Sequence, residues 1–181
     1  MAKLVSKTYG EALFELAVEE GKEDEFFEEI QKLKSILDAN PDFAKLMNHP
    51  KILKEEKLKV LEEVFEGRVS KEILGLLYMI VSKDRYSEID NILAFFIDEV
   101  KKRKGIGVAY VSTASKIDET KKKEIEERLL ATTKFQKMEM HYQVEEDLIG
   151  GMVIRIGDRV VDSSVKTKLY ELQRQLLKVQ L

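Results

Sequence analysis

The chain has 181 residues, with 31 Lys and Arg against 34 Asp and Glu, for a net charge of −3. That balance leaves no electrostatic footprint for nucleic acid or anionic lipid. With no Cys and only two His, there is no disulfide framework, no thiolate nucleophile and no Cys-based metal site.

Residues 3 to 20 read as a helix. At 100° per residue, Val5, Tyr9, Gly10, Ala12, Leu13, Phe14, Leu16 and Ala17 form one apolar arc of roughly 200°. A helix packed on one side needs about 100°. The excess fits either central burial in its own bundle or a second contact with a partner. Gly21 ends this helix. Residues 22 to 39 form the next, with an acidic first turn and a core stripe of Phe26, Ile30, Leu33 and Leu37. Asn40-Pro41 is expected to cap a short helix over 41–47, with Pro at its first position. His49-Pro50 breaks it, and His49 has no second metal ligand nearby.

Residues 54 to 65 form a helix carrying Leu58, Leu61 and Phe65, and Gly67 stops it. Ser70 is placed to cap the next helix, 71–83, which is apolar nearly all round from Ile73 to Val81. A helix apolar on every side is expected to be buried on every side, by its own bundle or by another chain. A long helix follows over 85–104 with Ile89, Ile92, Leu93, Phe96 and Val100. Its terminal Lys101-Lys102-Arg103-Lys104 reads as compensation for the helix dipole rather than as a nucleic-acid patch.

Composition changes at Gly105-Ile106-Gly107, where strand patterns begin. The expected domains are therefore a six-helix bundle over 1–104 and a small αβ domain over 105–181. Their charges are −4 (18 basic, 22 acidic) and +1 (13 basic, 12 acidic). The second part opens with a strand from Ile106 ending near Ser115. Asp118 then caps a charged helix over 119–133, and Met138–Val144 alternates as another strand. Met152–Ile156, the turn Gly157-Asp158 and Arg159–Asp162 form a hairpin with type II′ chemistry. Asp162, Ser163 and Ser164 offer cap oxygens to a last helix striped by Val165, Leu169, Leu172 and Leu176. That stripe is expected to pack largely on the strands. The fold class is mainly α with a small α/β part, in which a short mixed sheet carries two helices.

The sequence carries no GxxxxGK[ST], GxGxxG or HExxH, and Gly150-Gly151 lacks a following Lys-Ser. Its carboxylate clusters are what a chain of 36% charged residues places on its surface. The longest apolar runs, Ile73–Val81 and Ile92–Ile97, fall far short of the roughly 20 residues of a membrane span. The first residues carry no apolar h-region and no Arg/Ser-rich pattern, so neither a signal peptide nor a transit peptide is expected. Read from its residues alone, the protein is expected to be a soluble, cytosolic, non-enzymatic interaction protein that takes no cofactor or metal.

The stretch GGMVIRIGDRVVDSSVKTKL, from Gly150, resembles the signature of the delta subunit of bacterial ATP synthase, whose mitochondrial counterpart is the oligomycin-sensitivity-conferring protein. Within it Gly151, Val153, Gly157, Asp158, Asp162 and Ser164 stand at signature positions. Tyr9-Gly10-Glu11-Ala12-Leu13-Phe14 matches the family's early pattern, so the resemblance spans nearly the whole chain. It implies a non-catalytic connector, present in one copy and held peripherally at the cytoplasmic face of the cell membrane without inserting into it. The helical domain would bind the N-terminal helix of an alpha chain in a groove between its first and fifth helices. Val5, Tyr9, Ala12 and Leu13 would line one wall, and Leu76 and Met79 the other. The C-terminal domain would bind the C-terminal ends of the stalk b chains, with Leu169 and Leu172 as candidate contacts. Two rival readings are a free-standing helical adaptor or regulator with other partners, and a small-molecule enzyme using the α/β half.

Overall fold

A computed structural model describes residues 2–179. The chain is mainly helical. Eight α-helices and a four-stranded mixed sheet divide between two compact units, Met1–Lys101 and Lys102–Leu181.

The first unit holds α1 (Ala2–Glu20), α2 (Glu23–Ala39), α3 (Pro41–Met47), α4 (Lys54–Phe65) and α5 (Lys71–Ser82). A 3₁₀ turn (Tyr86–Glu88) leads into α6 (Ile89–Arg103). These elements share one hydrophobic core. The predicted stripe of α2 is its buried set, Phe26, Ile30, Leu33 and Leu37. Ile73, Leu77, Ile80 and Val81 come in from α5, and Ile92, Leu93, Phe96 and Val100 from α6. Gly10 lets α1 lie close on α6, since a Cβ there would stand 2.5 Å from Phe95 Cδ1 and 3.2 Å from the Ile92 carbonyl oxygen.

Several local expectations change. The helix expected from residue 85 begins as the 3₁₀ turn, and α6 proper starts at Ile89. Asn40 does not cap α3 with its side chain. Its amide instead donates to the Ile36 carbonyl at 2.8 Å, closing the end of α2. Ser70 precedes α5 in extended backbone, but its hydroxyl makes no cap bond and is buried without a partner among the described residues. The Ser70 backbone N–H donates instead to Glu29 Oε2 at 2.9 Å. On α4, Lys57 is buried with Leu61 and Phe65, whereas Leu58 is only partly covered. The three buried residues are spaced i, i+4, i+8, one line along the helix.

The second unit runs β1 (Ile106–Thr113), α7 (Glu119–Thr132), β2 (Lys137–Val144), β3 (Met152–Ile156), β4 (Arg159–Asp162) and α8 (Val165–Val179). The sheet order is β2-β1-β3-β4. β1 pairs in parallel with β2, as the intervening helix requires, and antiparallel with β3, which pairs antiparallel with β4. Asp118 caps α7 by accepting from the Lys121 N–H at 2.8 Å. α7 packs beside β2, where the Tyr142 hydroxyl donates to the Lys122 carbonyl at 3.2 Å. Gly157 alone of the turn pair has positive φ (+55°), as a type II′ turn demands.

Candidate functional site

α1 resolves into two parallel lines. Ser6, Gly10, Leu13 and Ala17 are buried. Val5, Tyr9, Ala12 and Leu16, one residue behind each, are open or only partly covered. Both lines follow the i, i+4, i+7, i+11 spacing of one helix face. The 200° arc is thus part core and part half-covered apolar strip, exposed at Ala12. Leu13, which the family resemblance would put on a groove wall, belongs to the core at 3% exposure.

α5 packs beside α1. Its all-round apolar sequence is not buried all round. Lys71, Gly75, Met79 and Ser82 form a solvent-facing line, and Met79 is 51% exposed. Leu76 is turned into the core at 8% exposure. Gly75 lies one turn before Met79, and a Cβ there would meet nothing within 4 Å. Sequence reasoning missed Gly75 and the openness of Leu16. The signal for Gly75 was a glycine on the same face as a large apolar residue in a helix that otherwise has no reason to carry one.

The signature residues build a joint between hairpin and helix. Gly151 holds φ +75°, and a Cβ on it would fall inside the contact distance of the Ser163 carbonyl oxygen. The Ser163 N–H and hydroxyl both donate to the Met152 carbonyl at 2.9 Å, and the Val165 N–H donates to the Gly150 carbonyl at 2.9 Å. Ser164 is buried and caps α8, its Oγ accepting from the Thr167 N–H at 3.2 Å. Asp162 accepts from the Ser164 N–H and the Thr167 hydroxyl. The backbone bond from Ser164, then the Thr167 hydroxyl, hold its carboxyl below the usual carboxylate range. Val153 is partly covered within β3, and Gly157 and Asp158 form the exposed turn. These residues give the chain its shape at this point, and none converges on a cleft.

The expectation that α8 packs on the strands does not hold. Leu169 is 52% and Leu172 54% exposed, and Val165, Leu176 and Leu177 are open as well. α8 lies instead against the 3₁₀ turn Glu146–Leu148. Edge strand β4 is exposed along its whole length, with Val160 and Val161 open. The spacing of the α8 stripe signals an amphipathic helix, and it does not say what covers the apolar side. Among the described residues no group of three or more His, Asp or Glu is arranged to hold a metal, and no helix is long and apolar enough to cross a membrane.

Exposed apolar side chains at helical spacing, as on α8, mark a surface suited to meeting other chains. The comparisons identify the kind of protein. Residues 5–176 match the family model described as ATP synthase delta (OSCP) subunit, and the chain belongs to that family. An ATP synthase subunit delta from Lachnoclostridium phytofermentans is 51% identical over 181 residues, covering 100% of both chains. One from Alkaliphilus oremlandii is 34% identical over 179 residues, covering 99% of each. A chain in the cryo-EM structure of the Toxoplasma gondii mitochondrial ATP synthase hexamer shares the fold, with a TM-score of 0.76 at 22% identity over 95% of this chain and 97% of that one. The family makes this protein a subunit of ATP synthase, a membrane-associated complex, and indicates no catalytic activity of its own.

Proposed function

We propose that this protein is the stator connector of the synthase. It ties the alpha chains of the catalytic head to the b chains of the peripheral stalk, so that the head does not turn with the rotor. One copy sits at the cytoplasmic face of the bacterial membrane, bound peripherally through its partners. The first six helices form the bundle that holds the head, and residues 105–181 hold the stalk.

The observation that carries this reading is the pair of lines on neighbouring helices, half-covered on α1 and open on α5. Val5, Tyr9, Ala12 and Leu16 run along α1, and Gly75 and Met79 along α5. An amphipathic helix laid between them meets large apolar side chains on one wall and a small residue on the other, a recurrent mode of recognition. Leu13 and Leu76 support the walls from beneath rather than touching the ligand. On the second unit, Leu169 and Leu172 belong to the open α8 face offered to the stalk.

A stator works against torque, so its contacts must dissociate slowly. Apolar burial contributes roughly 25 cal/mol per Å². Exposed ion pairs contribute about 0–1 kcal/mol each and weaken in salt. Burial therefore dominates at this groove, and binding is expected to change little with ionic strength. The test is calorimetric titration of the protein with a peptide of the first ~20 residues of its own alpha chain, a helix of about 30 Å. One-to-one binding that Tyr9→Asp abolishes and salt leaves nearly unchanged is expected. A steep loss of affinity at high salt would assign the contact to charge and sink the groove mechanism.

A further inference from the structure

The first unit contains a cavity of about 480 Å³ where the start of α4 meets the end of α5 and the 3₁₀ turn. Half of its lining is apolar, from Met47, Pro50, Ile52, Leu53 and Val81. Its polar lining is of a different kind. Lys57 is 6% exposed and has no ion-pair partner among the described residues. Tyr86 also lines the cavity, and its hydroxyl is buried without a hydrogen-bond partner among the described residues. α4, twelve residues long, begins here just after Leu53 with no side-chain cap among the described residues, so its first-turn amides have no side-chain acceptor, although Glu55 and Glu56 lie in that turn. A buried ammonium, an unmatched hydroxyl donor and an uncapped helix N-terminus all ask for the same thing, an anionic acceptor.

The charge count narrows the ligand. Lys54 is neutralised by Asp84 at 2.6 Å, and the remaining polar lining residue, Asn48, carries no charge. The lining residues Lys54, Lys57 and Asp84 therefore sum to one positive charge, with the carboxylates of Glu55, Glu56 and Asp90 close by outside the lining, too little for a polyphosphate. Its apolar walls do not suit a bare inorganic anion, which would leave them wet. We infer that this cavity binds a small monocarboxylate with an apolar body, its carboxylate taken by Lys57 and Tyr86 and its body laid against Met47, Pro50 and Val81. The site is separate from the open line on α5, and its failure would leave the stator reading untouched.

The test is an ¹⁵N-resolved NMR titration of the full chain with 3-phenylpropanoate, its neutral amide and inorganic phosphate as probes. Saturable one-to-one shifts are expected with the carboxylate, clustered at residues 47–57 and 81–86. The amide is expected to bind at least about tenfold more weakly, because it loses the charge-assisted bond. Phosphate is expected to leave these residues unmoved. Lys57→Met, which keeps the length of the stem, should abolish the shifts while the rest of the spectrum stays native. Absence of carboxylate binding, equal binding of the amide, or preferential binding of phosphate would each overturn the inference. So would unchanged binding by a natively folded Lys57→Met. The three wild-type titrations decide the matter even if that variant does not fold.

Discussion

Thr167 donates its hydroxyl to Asp162 Oδ2 at 2.7 Å, clamping the first turn of α8 to the last residue of β4. The other carboxylate oxygen of Asp162 takes the Ser164 N–H at 2.8 Å. Asp162 is charged and bonded in the fold, and merely solvated when unfolded. Its pKa is lowered in the fold, so its contribution is present above the ordinary carboxylate range and is lost as pH falls through the lowered value. We expect the protection of the Ser164 and Thr167 amides, relative to their intrinsic exchange, to fall as pH drops below the ordinary carboxylate range and through the lowered value. Asp162→Asn should show that lower protection already at neutral pH. Equal protection in wild type and variant at pH 7 would mean that the clamp contributes nothing.

Gly151 and Gly157 both have positive φ, yet their surroundings differ. Gly157 has nothing within 4 Å of a would-be Cβ, so Gly157→Ala should lose only the conformational term, about 1–2 kcal/mol. Gly151→Ala adds a collision with backbone that cannot move away, the Ser163 carbonyl and Ser164 Cα. It should lose about 3 kcal/mol or more. Guanidinium unfolding of both variants followed by circular dichroism checks the order.

The Tyr86 hydroxyl is buried beside the Phe43 ring, 6.0 Å between centroids, with no partner for its proton among the described residues. Burial first, and then the charge of Asp90, push its pKa well above 10.0. The fold therefore resists ionisation that the unfolded chain undergoes freely. This contribution to stability is complete below pH 10 and declines as pH rises beyond it. Tyr86→Phe removes the unmatched group and should raise stability at pH 7 by about 1 kcal/mol. It should also make alkaline unfolding less steep. A destabilised Tyr86→Phe would show that the hydroxyl has a partner in solution.

The fold was legible where a stripe closes on itself. The spacing of Phe26, Ile30, Leu33 and Leu37 defines the buried face of α2, because four apolar residues on one side of a charged helix allow one packing. α5 was harder. When every side is apolar, periodicity carries no direction, and the line through Gly75 and Met79 emerges only once the neighbouring helices are in place. Lys57 sits at a stripe position of α4, one turn before Leu61, yet its charge argued for the surface. The apolar stem of a lysine allows such burial when the head finds a cavity. Asn40 stands at a helix start and a helix end at once, and sequence alone does not choose which carbonyl or amide its side chain serves. The signature around Gly151 was legible as a motif, and its physical content is a joint. The exposed apolar residues lie beyond it, on α8.

Leu169 and Leu172 give the sharpest separation of core from contact surface. A stripe packed on a sheet loses about 2–5 kcal/mol for each leucine truncated. At 52% and 54% exposure these two have little packing to lose. Substitutions at such positions away from special features stay within about 0.5 kcal/mol. The double variant Leu169→Ser, Leu172→Ser is therefore expected to unfold at nearly the wild-type guanidinium concentration. If the α8 face holds the stalk, the same variant should lose affinity for a C-terminal peptide of the b chain by at least about tenfold, since two anchors of roughly 1 kcal/mol each are removed. Unchanged stability with lost binding identifies an interface. Lost stability would mean that the helix closes on its own sheet in solution, and that the stalk is held elsewhere on residues 105–181.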